Sequence, residues 1–169
     1  MNKFRIWASL AVAPFLMAMP TAARAADVWP LIKDFKFGLV CGPANDRKVC
    51  FETKTIQVTN ESTCVYNKSP VSCTWFGYSF EYVSPFDIKL SCDDALDVAA
   101  SFGQPKKEDQ ASTKDYKFEL GLAKGVRHFF NPNYAYGPAG KPTEHETLTC
   151  SYKGKQVFSV AFQIMFPAK

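Results

Sequence analysis

After residue 25 the sequence has no long apolar run, and it lacks the short motifs that mark most catalytic centres. It has no G-x-S-x-G, no H-E-x-x-H and no phosphate-binding glycine loop. No cysteine pair stands at the close spacing of a zinc site or a redox dithiol. Only two histidines occur, too few for a centre of three or four converging imidazoles. Methionine is scarce, and three of the four (Met1, Met17 and Met19) precede residue 26, so a Met-rich copper site has no support. No metal or other cofactor is therefore expected.

A charge of one sign is also missing. The first 25 residues read as a cleaved signal peptide, residues 1–25. Lys3 and Arg5 form a positive start, Ile6 to Met19 is mostly apolar, and Ala23-Arg24-Ala25 is a small-x-small cleavage signal. The apolar stretch is short for a membrane span and meets Pro14 and Pro20. The first cysteine, Cys41, is far from the cut, so no lipid-accepting cysteine lies there. The net charge of +4 comes from 20 basic and 16 acidic residues. Lys3, Arg5 and Arg24 leave with the leader, so 17 basic residues face 16 acidic ones, and the mature chain carries +1. Nucleic acid, which calls for a basic patch, is excluded as a partner. The expectation is one domain, residues 26–169, with no transmembrane segment in the mature chain. It would be periplasmic or secreted after cleavage near Ala25.

Six cysteines remain: Cys41, Cys50, Cys64, Cys73, Cys92 and Cys150. An even count in an exported chain reads as disulfides. Cys41 and Cys50 enclose "GPANDRKV", and Cys64 and Cys73 enclose "VYNKSPVS". Both are turn-forming stretches. A four-residue loop Asn67–Pro70 would set Tyr66 against Val71 and Cys64 against Cys73. Cys92 continues the apolar face of Phe86, Ile88 and Leu90, and Cys150 lies on that of Leu148 and Tyr152. The expected pairs are 41–50, 64–73 and 92–150, the last reaching across a core and the first two open to an exchange of partners.

Strict alternation recurs in "WPLIKDFKFGLVC", with its odd positions broken at Lys33, in "YKFELGL" and in "VFSVAFQIMF". Lys153-Gly154-Lys155 marks a hairpin turn. With strands at Cys50–Thr59 and Trp75–Tyr82, about seven to nine strands result. The segment "SCDDALDVAAS" alone reads as a short helix, with Ser91 or Asp93 as its cap. The predicted fold is all-β, an antiparallel β-sandwich stapled by three disulfides. It resembles immunoglobulin-like sandwiches in architecture alone. Residues 102–115 read as a solvated loop, and 123–146, rich in Gly, Pro and Asn, as an irregular segment in which "VRHFF" is a candidate strand.

Chemistry is sparse. His128 and His145, with Glu144 and Glu146, are the only candidates for a metal or ligand carrier, and His128 for a hydrolase base; two exposed histidines are the plainer reading. Asp93, Asp94 and Asp97 lack calcium-loop spacing and fit a helix start as well. The stripe Phe76, Tyr78, Phe80 and Tyr82 reads as core, with a binding platform as its rival. Trp75 would pack on the 64–73 bridge. The aromatic segment supplies the expected partner-binding residues, Arg127, Phe129, Phe130, Tyr134 and Tyr136. The chain then reads as an exported, non-enzymatic protein-interaction module. Its partner would be another envelope or secreted protein, and its role that of an assembly accessory or an inhibitor or immunity factor.

Overall fold

The computed structural model describes residues 30–41, 48–66, 68–100 and 113–169. The expected leader, most of the 41–50 turn and most of the 102–115 loop lie outside the described residues. Among the described residues there are ten strands and no helix. They are β1 (Leu31–Val40), β2 (Val49–Glu52), β3 (Thr55–Gln57), β4 (Ser62–Tyr66), β5 (Ser69–Ser84), β6 (Ile88–Ala100), β7 (Thr113–Leu122), β8 (Gly125–Ala135), β9 (Glu144–Tyr152) and β10 (Lys155–Met165).

Two five-stranded sheets form. In the first, β5 is the hub: it pairs with β1, with β8 and, through a hairpin, with β4, while β2 pairs with β1. The second runs β3-β10-β9-β6-β7, and only β3–β10 is parallel. The strands alternate as period-two patterns require. Phe76, Tyr78, Phe80 and Tyr82 of β5 are all buried. Facing them are Phe158, Val160, Phe162 and Ile164 of β10. The Phe158 ring lies 5.1 Å from Phe35, 5.7 Å from Tyr78 and 5.5 Å from Phe80, and Phe162 lies 4.5 Å from Phe37. The aromatic stripe is thus core, and burying each such ring stabilises by about 1.5–3 kcal/mol. The β9–β10 turn uses Lys153 and Gly154 at φ 49° and 76°, the positive pair that a two-residue hairpin needs.

The interruption at Lys33 has a local cause. Lys33 pairs with Glu81 and Lys36 with Ser79, so β1 holds an extra residue, and Asp34 takes φ 49°. The bulge switches the inward face: Ile32 packs on the core before it and Phe35 and Phe37 after it, which leaves Leu31 exposed.

All six cysteines are bridged in the expected pairs. Three disulfides suit an oxidising, exported compartment. No helix among the described residues is long and apolar enough to cross a membrane.

Five expectations are corrected. Residues 91–100 are strand, because Leu90, Cys92, Asp94 and Leu96 are buried at every second position. Cys92 and Cys150 do not reach across the core; they are direct partners on adjacent strands of one sheet, with Cα atoms 4.1 Å apart. In the β4–β5 hairpin Tyr66 faces Ser69, not Val71, so Cys64 and Cys73 lie diagonally rather than opposite. The expected Cys50–Thr59 strand is two strands, β2 and β3, in different sheets, which helps bring the total to ten. The segment from 123, expected to be irregular, opens with β8, paired with β5 over eleven residues. Pro132 of β8 lies opposite Gly77, where a side-chain Cβ would collide with the Asn131 carbonyl. Among the described residues β8 pairs with β5 alone, so its proline sits on an edge strand, where a missing N–H is tolerated.

Candidate ligand-binding cleft

The expected partner-binding residues divide between two faces. Phe129 points inward and stacks on Phe80 at 4.9 Å. On the opposite face Phe130 is half-buried beside Ser79, while Tyr134 meets Trp75 edge-on at 5.3 Å and, with Phe129 and Tyr136, lines the cleft described below. Trp75 therefore has Tyr134 as its ring partner. The Tyr134 hydroxyl donates to the Val65 carbonyl at 2.8 Å. Arg127 is exposed and donates to the Lys124 carbonyl at 3.0 Å. Tyr136, just past β8, rests on Tyr66 at 4.8 Å.

The histidines do not share a site. His128, on β8 in the first sheet, lies 2.9 Å from Glu81. His145, on β9 in the second, lies 2.7 Å from Asp97, which also accepts the His145 backbone N–H at 2.8 Å. These two hydrogen bonds, the backbone one first, hold the Asp97 carboxyl below its ordinary range. Asp93 faces Lys117 at 3.8 Å. Among the described residues no group of three or more His, Cys, Asp and Glu is placed to hold a metal ion.

Between the sheets lies a cleft of about 750 Å³. Its walls are aromatic and aliphatic: Phe37 from β1, Phe76 and Tyr78 from β5, Leu120 from β7, Leu148 from β9 and Phe162 from β10. Exposed Asn133 and Pro138 at its margin join it to solvent. Its volume falls in the range of small-molecule sites.

Its floor is acidic. Asp94, Glu144 and Glu146 line the cleft and are only 8, 3 and 6% exposed. Strand geometry puts them there. Glu144 and Glu146 share the inward face of β9 with Leu148 and Cys150. Asp94 is opposite Leu148 on β6, which leaves Glu146 its diagonal neighbour. Burial raises the Asp94 carboxyl, a hydrogen bond from Glu146 partly offsets this, and Asp93 adds to the rise. Burial raises Glu146 as well, followed by the charges of Asp94 and Glu144, with Lys141 pulling the other way. The pair thus holds a proton where ordinary carboxyls have lost theirs, with Glu146 donating to Asp94. Asp94 Oδ1 is buried without a hydrogen-bond partner. Lys141 Nζ lies 2.6 Å from Glu144 Oε1, an ion pair whose angle falls outside hydrogen-bond geometry. Burial also raises the Tyr78 hydroxyl, which accepts from Asn131 at 3.0 Å.

None of these acids was singled out for this role by the sequence. The available signal was their parity: each occupies an inward position of a strand whose inward residues, these acids aside, are apolar. The chain matches no protein-family model, no curated protein and no solved structure.

Proposed function

We propose that the chain is an exported, non-enzymatic binding protein and that the cleft between its sheets is the binding site. On this reading the leader is removed near Ala25, and the domain works in the periplasm or outside the cell as a sandwich of broadly immunoglobulin-like kind. The observation that carries it is the cleft: an aromatic cavity whose floor holds a buried, incompletely partnered carboxyl pair. Buried acids weaken a fold unless they are paired and hydrogen-bonded, and perturbed acids in a cleft favour a functional site.

The test is a thermal-shift screen of small molecules on the oxidised domain, repeated on Asn133→Trp, which sets a large ring at the cleft margin. Compounds that raise the Tm of the wild type and not of the variant support the cleft. Hits that act equally on both, or no hits, overturn it.

A protein partner on the outer face of β8 is the second reading. Val126 there is 74% exposed, and Phe130 further along the strand is half-buried. Val126→Ser with Phe130→Ser should then abolish partner capture from periplasmic extract while leaving the Tm of the folded domain measurable. Unchanged capture sinks this reading. A hydrolase based on His128 gains nothing from the geometry, since His128 is exposed and does not line the cleft.

A further inference from the structure

The cleft already shows how it holds a cation. Lys141 Nζ sits 2.6 Å from Glu144 and 4.4 Å from the centre of the Phe166 ring. An ammonium between a carboxylate and a ring face is a favourable pairing. The Asp94–Glu146 pair has the same two ingredients, carboxylate and aromatic wall, but Lys141 is engaged by Glu144. The groups facing that pair are Asp93 beside it on β6, Glu144 on β9, Lys141 from the loop before β9, Tyr78 from β5 and Tyr116 opposite Asp94 on β7. Asp93 is engaged by Lys117, and Glu119, which also lines the cleft, by Lys89, so Lys141 is one cation against the three acids Asp94, Glu144 and Glu146. The acids are not placed to hold a metal ion.

We propose that the cleft binds a ligand carrying a protonated amine on an apolar or aromatic body, with the amine at Asp94 and Glu146 and the body against Phe37, Phe76 and Phe162. This rests on the cleft being the binding site. An amine supplies several donors to a pair that otherwise has one shared proton between its carboxyls. The complex forms with both carboxyls ionised, so the shared proton goes to solvent. The apolar walls account for the rest of the recognition and discriminate against small hydrophilic cations.

The experiment is calorimetric titration of the oxidised domain with four probes: phenethylamine, octylamine, neutral 2-phenylethanol and anionic phenylacetate. It is run near about pH 5 and about pH 8, in two buffers of different ionisation enthalpy. Both amines should bind at least about tenfold more tightly than the alcohol, since a hydrogen bond to a charged group contributes that much or more. Phenylacetate should bind most weakly. Amine affinity should fall at the lower pH, and the buffer dependence should report proton release. Glu146→Gln and Asp94→Asn should each lose the preference for amine over alcohol while keeping a folded Tm. Alcohol or phenylacetate binding as tightly as the amines overturns the amine assignment and leaves the cleft standing as the site. No binding by any probe, with hits in the thermal-shift screen, overturns the amine alone. No binding here and a blank screen overturn both readings.

Discussion

The two ends of the space between the sheets are built on one pattern and filled differently. At one end the inward positions are Phe35, Phe80 and Phe158, with Ile88 and Leu90 beside them, and none of these lines the cleft. At the other end the same strands continue their alternation with Asp94 on β6 and with Glu144 and Glu146 on β9. Every second residue points inward in both halves. What changes is whether the inward side chain gains or loses by leaving water. Apolar rings close the first half. Carboxyls hold the second half open, because packing it shut would bury them further without donors. Closure is thus a matter of side-chain chemistry on an unchanged backbone plan.

The comparison can be broken most severely at the closed end. Phe158→Ala should cost about 3–5 kcal/mol, as for other buried rings, measured by chemical denaturation of the oxidised domain. Phe166→Ala, at the cleft, should cost clearly less, about 1–2 kcal/mol, since its ring is only part-buried. Equal losses would erase the distinction between the halves.

A smaller effect of opposite sign is expected on the floor. The Asp94 and Glu146 carboxyls are raised on folding, chiefly by burial. The native state therefore keeps protons that the unfolded chain has released, and stability falls as pH rises from about 4 through the raised values. Glu146→Gln removes one ionisation and keeps a donor for Asp94. It should raise stability at neutral pH by about 1 kcal/mol or more and flatten the decline with pH, read as Tm across the range. A decline unchanged in the variant would contradict this origin. The smallest effect belongs to the outer face. His128→Ala and His145→Ala should each change stability by no more than about 0.5 kcal/mol, because both ion pairs are solvent-exposed.

Much of this fold was legible as alternation. "YKFELGL" and "VFSVAFQIMF" read directly as β7 and β10, whereas the aromatic stripe stayed open in the sequence between core and binding platform. The cysteine pairs followed from compartment and spacing, but facing direction alone does not separate partners across a core from neighbours within a sheet. Cys92 and Cys150 proved to be neighbours. β6 was hidden because its inward Asp94 breaks the apolar pattern, so the stretch reads as a capped helix. β8 was hidden by Asn131, Pro132 and Asn133, whose tolerance depends on Gly77, more than fifty residues away in the chain. The cleft was not legible, since its floor exists only once β6 and β9 lie side by side. The same three acids, taken in sequence order, suggest only helix starts or metal ligands.

The bridge between Cys92 and Cys150 lies two residue pairs along the ladder from Asp94, and Glu146 lies two pairs further on, opposite Leu96. It clamps the phase of β6 against β9. A slip of two residues would keep the alternation of both strands yet lose the diagonal placing of Asp94 and Glu146, setting them directly opposite in one direction and apart in the other. The covalent bond forbids that slip in a way that side-chain packing alone does not. Assembly of the floor is then tied to oxidation: the chain acquires its paired acids in register when it reaches a compartment where thiols join, and a reduced copy carries the same residues without that guarantee.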